Sequence, residues 1–174
     1  MVHPSTAATA LVAFGARVEL AGAQSGRRVV ALEDFFVRPE QDITRENDLK
    51  AGEVLDAVLL PPARGARSAH LRQGELESFD WPLADVAVVL EMAGGVCRRA
   101  SVVLGAAAPV PHRAGQAEAA LTGRRIDEPA ARGAARAALV GAMPLRDNAY
   151  KLPIFEALVR RAVIVAATSS ASSR

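Results

Sequence analysis

The chain has little cysteine and little histidine, and each shortage excludes a class of site. Cys97 is the single cysteine among 174 residues, so an internal disulfide, a four-cysteine iron–sulfur cluster and a cysteine-based zinc site are excluded. The histidines, His3, His70 and His112, are isolated from one another and lack the spacing that starts a metal site. The sequence therefore predicts no metal-binding residues.

Long hydrophobic runs and one-sided charge are also missing. No apolar run reaches the roughly 18 residues that span a bilayer, and no basic region precedes an apolar one at the N-terminus. The formal net charge is +2, with acidic and basic residues interspersed, whereas nucleic-acid-binding proteins concentrate positive charge on one face. We expect a cytoplasmic protein with neither a membrane nor a nucleic acid as partner.

The first elements form too small a unit to fold alone. Residues 5–14 predict an amphipathic helix that ends at Gly15 and buries Ala7, Ala10, Leu11 and Phe14. Two alternating runs, 16–20 and 27–32, predict a hairpin around a Gly/Ser turn. A helix and a hairpin bury little surface, which indicates that a further part of this unit belongs upstream.

The rest of the chain changes from strands to helices. Strands are predicted at residues 53–60, 67–73, 86–92 and 96–104, with Gly94-Gly95 as a hairpin turn. Helices are predicted at residues 115–121, 128–143 and 153–167. This order predicts an α+β fold, in which a small antiparallel sheet of three to four strands is followed by a helical subdomain packed on one face.

Candidate chemistry from spacing alone is thin. Glu75, Glu77 and Asp80 cluster without a histidine or nucleophile nearby, so a solvated loop is favoured over a catalytic carboxylate pair. Cys97 precedes two arginines that could lower its pKa, yet a structural thiol in a strand is favoured. By motif logic alone, the chain is a binding or structural module.

Seven stretches, taken together and in order, resemble one protein family. They are residues 2–16 (VHPSTAATALVAFGA), 32–36 (LEDFF), 49–55 (LKAGEVL), 77–88 (ESFDWPLADVAV), 104–114 (LGAAAPVPHRA), 118–123 (EAALTG) and 147–151 (DNAYK). The family is that of FAD-binding subunits of molybdenum hydroxylases, which includes xanthine dehydrogenase. The closest branch is that of the aldehyde oxidoreductases, and the second half resembles the CO dehydrogenase flavoprotein C-terminal domain.

The resemblance implies a function in electron transfer. In this family, FAD accepts electrons from iron–sulfur clusters of a partner subunit and passes them to an external acceptor, and the electrons originate at a molybdenum centre in a third subunit. The family's Gly-rich loops that hold the flavin pyrophosphate have no counterpart here. We therefore expect a truncated subunit, part of an oxidoreductase, that is not competent alone and binds FAD poorly by itself.

Three positions are carried over from the family as cofactor-binding residues. Thr6 stands where the family usually has an aspartate that contacts FAD, Leu55 matches a residue that packs by the isoalloxazine, and Arg72 aligns with a lysine near the flavin ring. The alternative for Leu55 is an ordinary core leucine. For Arg72 it is an exposed strand arginine.

The predicted organisation has three parts. Residues 1–48 are expected to be the end of an FAD-binding domain with a linker, residues 49–167 the C-terminal domain, and residues 168–174 a disordered tail. The alternative function is a non-enzymatic oligomerisation or docking module that no longer binds flavin, and a homodimer is the partner expected for it.

Overall fold

The computed structural model describes residues 3, 5–24, 26–62, 65–76 and 80–169. The elements are α1 (Thr6–Ala13), β1 (Arg17–Gly22), β2 (Gly26–Ala31), α2 (Leu32–Phe35), β3 (Glu53–Leu59), β4 (Arg67–Gln73), β5 (Ala84–Ala93), β6 (Val96–Gly105), β7 (His112–Arg113), α3 (Gly115–Leu121), α4 (Glu128–Ala138) and α5 (Lys151–Thr168). Of the helices described, none is long and apolar enough to cross a membrane.

Helix α1 is bounded at both ends by residues suited to that position. The Ser5 hydroxyl accepts a hydrogen bond of 3.2 Å from the Ala8 N–H, which satisfies one donor of the first turn. At the other end Gly15 has a φ of 73°, a conformation that glycine adopts easily and that stops a helix. The helix predicted over residues 5–14 is confirmed.

The predicted buried face of α1 is partly wrong, because Ala10 and Leu11 are half-buried against the core while its other two members are exposed. The helix buries Ala8, Thr9, Val12 and Ala13, whereas Ala7 is exposed and Phe14 is 37% exposed. Alanines lie on every side of this helix, so hydrophobic spacing does not define a face. Contacts with the strands beneath it select the buried side instead.

The first sheet has three antiparallel strands in the order β2-β1-β3. The hairpin β1-β2 is confirmed. Residues 53–59 form the expected strand. The prediction that this strand joins the later sheet is wrong, because β3 pairs with β1. A bidentate ion pair explains the pairing, because the Arg28 guanidinium on β2 reaches across to the buried Glu53 carboxylate on β3 at 2.8 and 2.9 Å.

The second sheet has four antiparallel strands in the order β4-β5-β6-β7. Its central hairpin turns at Gly94 and Gly95, whose φ values of 58° and 76° match the type I′ turn that suits the twist of antiparallel strands. The hairpin and the α+β class are both confirmed. The two-residue strand β7 was not predicted.

Both faces of the second sheet are covered, so its central strands are apolar on both sides. Helices α3 and α5 pack on one face, where Val86, Val88 and Val102 are fully buried, and α4 packs on these two helices. Helix α1 packs on the other face, above Ala87 and Val103. The sheet thus joins two cores, and the junction between them positions the candidate site.

Helix α4 ends five residues before its predicted end. It stops at Ala138, and Gly141 then adopts a φ of 82°, which breaks the helical path. Helix α5 begins at Lys151, two residues before the predicted start. The segment between these helices borders a cavity described below.

Candidate functional site

A cleft of about 250 Å³ lies where the first turn of α1 meets the start of β5 and the end of β6. We call it the α1 cleft. The lining residues used below are Ser5, Thr6, Thr9, Trp81, Asp85, Gly105 and Lys151. They come from four separate parts of the sequence, which the packing of α1 and α5 on the second sheet brings together.

The floor of the α1 cleft is a buried carboxylate. Asp85 is 1% exposed, and Thr9 beside it is equally buried. A Cβ at Gly105 would lie 2.3 Å from the Thr9 hydroxyl oxygen and 2.5 Å from Asp85 Oδ2, distances that real Cβ atoms do not show. Glycine at this position therefore allows the helix and the carboxylate to approach each other.

His70 anchors that carboxylate from the neighbouring strand. Its Nε2 donates a hydrogen bond of 2.5 Å to Asp85 Oδ1. This hydrogen bond raises the pKa of His70 above its ordinary value, although burial and the nearby Arg72 act in the opposite direction. The pair holds β4 to β5 at the edge of the cleft.

Another part of the cleft lining is formed by an unusual backbone corner and a lysine. Ala106 has a φ of 58°, a left-handed conformation that costs an L-residue about 1–2 kcal/mol. Lys151 Nζ donates a hydrogen bond of 2.7 Å to the Ala106 carbonyl. The lysine thus fixes the corner at which the chain leaves β6.

The structure places one of the three predicted cofactor residues in the cleft and one on the strand beside the floor residue Asp85. Thr6 lines the α1 cleft. Arg72 lies on β4 directly opposite Asp85, and its Nη1 reaches the Asp80 carbonyl at 3.4 Å. Leu55 is on the edge strand β3 opposite Leu20, is 43% exposed, and does not line the cleft. Their cofactor roles stay predictions.

The other sequence candidates carry no site of their own. Burial raises the pKa of the Cys97 thiol, whose Sγ donates to the Arg99 carbonyl, so a structural thiol fits. Asp80 Oδ1 accepts a hydrogen bond from the Trp81 N–H, and Glu77 lies outside the described residues. Among the described residues, no three His, Cys, Asp or Glu side chains group as metal ligands.

Sequence reasoning missed Asp85, Thr9, His70 and Lys151 as site residues. One signal was available for Asp85, because a carboxylate inside the apolar run ADVAVV is expensive to bury unless it is paired. No pattern in the sequence pairs it with His70, 15 positions earlier.

Two protein-family models match this chain, each over a different part of it. Residues 69–166 match the CO dehydrogenase flavoprotein C-terminal domain. Residues 1–63 match the FAD binding domain in molybdopterin dehydrogenase. The α1 cleft takes residues from both.

Curated relatives agree with these matches. The aldehyde oxidoreductase FAD-binding subunit PaoB of Escherichia coli (strain K12) is 29% identical over 150 residues, which cover 86% of this chain and 44% of that protein. The carbon monoxide dehydrogenase medium chain of Afipia carboxidovorans is 30% identical over 154 residues, covering 86% and 51%. The chain spans about half the length of these relatives.

Solved structures share the fold. Carbon monoxide dehydrogenase from Hydrogenophaga pseudoflava lacking the Mo-pyranopterin moiety superposes with a TM-score of 0.79 at 31% identity, covering 91% of this chain and 55% of that one. Quinoline 2-oxidoreductase from Pseudomonas putida 86 gives 0.77 at 32% identity, with the same coverage. The chain therefore belongs to the CO dehydrogenase flavoprotein C-terminal domain family, among the FAD-binding subunits of the molybdenum hydroxylases.

Proposed function

We propose that this chain supplies one part of an FAD site in an oxidoreductase complex. The observation that carries the proposal is the α1 cleft, which is lined jointly by the FAD-domain segment and the C-terminal segment. Thr6 comes from the first of these segments and lies at the start of a helix. A crevice at the junction of two units is a common location for a cofactor.

The groups around the cleft suit different parts of an FAD. The N-terminal end of α1 beside Thr6 carries the positive end of the helix dipole, which favours an anionic group such as a phosphate, while the Ala8 N–H is already capped by Ser5. Trp81 is 63% exposed, and its indole offers a flat apolar surface to a ring. Leu55 offers apolar surface on β3, outside the α1 cleft.

The α1 cleft is too small to hold a whole FAD. Its volume of about 250 Å³ is below the usual range for cofactor and ligand pockets, roughly 300–1,000 Å³. We infer that the remaining contacts come from the part of the subunit that the relatives carry outside the matched residues. The affinity of this chain alone for FAD is then low, because most of the binding surface is absent from it.

In the proposed complex, a bound flavin supplies the electron-carrying chemistry, and the residues of this chain hold and tune it. The guanidinium of Arg72 provides positive charge, which favours a reduced, anionic flavin ring. The His70–Asp85 hydrogen bond keeps β4 in register with β5, so that Arg72 stays opposite Asp85. Thr6 provides a hydroxyl where the family has a carboxylate, which removes a charged acceptor from this wall.

The proposed route of electrons runs from iron–sulfur clusters of one partner subunit, through FAD, to an external acceptor, with a molybdenum subunit as the origin. The support for these partners is that the similar proteins are named as a FAD-binding subunit and a medium chain. Ala7 and Phe14 are exposed in the single chain, which agrees with a surface that packs against another part of the subunit. No observation specifically favours a free-standing docking module.

We also propose that the FAD-domain part extends through β3. The predicted division after residue 48 would separate β3 from β1, although six pairs of residues join them. A division in the segment between Leu59 and Arg67 leaves both sheets whole.

The test is an NMR titration of the ¹⁵N-labelled chain with FAD. The proposal expects weak, saturable binding with amide shift changes at Thr6, Leu55 and Arg72. Arg72→Met should weaken binding about fivefold through loss of one exposed charge, while Arg98→Met, on an exposed strand position far from the cleft, should not. Shift changes confined to α3 and α4, or equal effects of the two variants, would contradict the proposal.

A further inference from the structure

A second cavity, of about 380 Å³, lies on the other side of Lys151 from the α1 cleft. We call it the α4–α5 cavity. It is lined by the segment 139–144 after α4, the first turns of α5 and the segment 106–109 after β6. Its volume is within the range of small-molecule sites, and the proposed flavin function does not use it.

The walls of the α4–α5 cavity are mainly apolar. Leu104 and Phe155 are buried in the main core and form its inner side. Leu139 and Leu152 are half-buried and form its flanks. Such walls favour a ligand with an apolar body, because its surface would be removed from water on binding.

One buried acceptor in the cavity is left unsatisfied. Asn148 Oδ1 has no exposure and no hydrogen-bond partner within the described part of the chain. The turn that carries it is fixed, because the Asn148 N–H donates to the Leu145 carbonyl and its own carbonyl accepts from the Lys151 N–H. Buried polar atoms are nearly always paired, and Asn148 lines the cavity, so a rotation of its side chain toward the cavity would let this oxygen accept a hydrogen bond from a bound molecule.

One cation at the cavity lacks a counter-ion. Lys151 Nζ donates to the Ala106 carbonyl and lies 6.0 Å from the Phe155 ring centroid. It forms no ion pair with any described residue, and burial lowers the pKa of its ammonium without a contribution from a charged neighbour. A half-buried ammonium without a carboxylate favours an anionic ligand group.

We propose that the α4–α5 cavity binds a small organic acid, with its apolar body against Leu104 and Phe155, its carboxylate paired with Lys151, and a hydroxyl or N–H group that donates to Asn148 Oδ1. The polar groups and apolar walls together specify this class. The proposal does not require FAD: Lys151 also lines the α1 cleft, whereas Leu104, Asn148 and Phe155 line the α4–α5 cavity and not the α1 cleft.

The test is an NMR titration of the full chain with one probe that carries both polar groups and two probes that each lack one of them. 4-Hydroxyphenylacetate carries both polar groups, phenylacetate lacks the hydroxyl, and 2-(4-hydroxyphenyl)ethanol lacks the carboxylate. We expect 4-hydroxyphenylacetate to bind about tenfold more tightly than either of the others, because each missing group leaves one protein group unpaired. Shift changes should centre on Leu139, Leu152 and Phe155.

Variants of the chain then test which residue pairs with each polar group of the ligand. Lys151→Met should remove the preference for the acid over the alcohol, and Asn148→Ala should remove the preference for the hydroxylated acid, as in a double-mutant cycle. Lys50→Met, at the other lysine of the chain, is the matched control and should change neither.

Two further points keep the test decisive. If Lys151→Met fails to fold, Lys151→Arg should retain the preference for the acid, and the Asn148→Ala comparison stands by itself. Equal affinity of the wild-type chain for all three probes, no saturable binding, or shift changes centred outside the cavity would overturn the proposal.

Discussion

Arg113 and Val12 are joined by a hydrogen bond of 3.2 Å between the Arg113 Nη2 and the Val12 carbonyl, across 101 positions of sequence. The same guanidinium donates to Glu33, Ser101 and Glu118 at 2.8 to 2.9 Å. A single side chain on β7 thus connects α1 and α2 to the second sheet and α3.

We predict that Arg113→Met destabilises the chain by about 2–3 kcal/mol, because the partly buried Glu118 and the Val12 carbonyl both lose a donor. The measurement is urea unfolding followed by circular dichroism. Arg98→Met, an exposed arginine on β6, is the control and should change stability by less than about 0.5 kcal/mol. Equal losses of stability in the two variants would show that Arg113 does not connect α1 and α2 to the second sheet and α3.

The backbone corner at Ala106 leads to a stabilising substitution. Ala106→Gly should raise the free energy of unfolding by about 0.5–1 kcal/mol, because glycine adopts a φ of 58° without the Cβ strain. Ala107→Gly, next along the chain and not left-handed, should lower it by a similar amount through the entropy of the unfolded chain. A loss of stability in Ala106→Gly would contradict the role assigned to this corner.

The Arg28–Glu53 pair should hold β3 on the first sheet. Glu53→Gln keeps the size of the side chain but replaces a charged acceptor with an amide. It should lower the free energy of unfolding by about 1–3 kcal/mol, because the carboxylate is buried while Arg28 is partly solvated. Amide exchange in β3 should accelerate. Asp56→Asn, an exposed partner of Arg27, serves as the comparison, and no difference between the two variants would refute this account.

His70 should give the stability a pH dependence of defined sign. Its pKa is raised above 6.5 mainly by the Asp85 hydrogen bond, so the folded state binds the proton more tightly than the unfolded state. The stabilisation is fully present below the unfolded-state pKa and is lost as pH rises through the folded-state pKa. NMR titration of the His70 ring should give a midpoint above that of free histidine.

Two variants isolate the contribution of this pair. Subtracting the stability profile of His70→Gln from that of the wild type removes the opposite effects of His3 and His112, whose pKa values are lowered by burial. Asp85→Asn should bring the His70 midpoint down. An unchanged midpoint would mean that Asp85 does not hold the proton on the ring.

Much of the fold follows from local sequence signals. The Gly94-Gly95 pair between two β-branched segments predicted the central hairpin. The order of the elements, strands first and helices after them, predicted the α+β class. The partner of β3 could not be found this way, because β1 is more than 30 positions earlier and pairing over that distance leaves no local pattern.

The site was less predictable than the fold. Thr6 was reached through its place in a family motif, and it does line the cleft. Asp85, Thr9 and Gly105 form the floor only because α1 turns Thr9 toward the sheet, and the expected face of α1 pointed elsewhere. The buried face of an alanine-rich helix depends on its tertiary contacts, which spacing does not encode.

The flavin content of the purified chain tests the central claim most directly, read as absorbance of the flavin band at about 450 nm relative to protein. If this chain provides only one wall of the FAD site, purified protein should be nearly colourless, and added FAD should be lost on desalting. One tightly held FAD per chain, retained through desalting, would contradict the account.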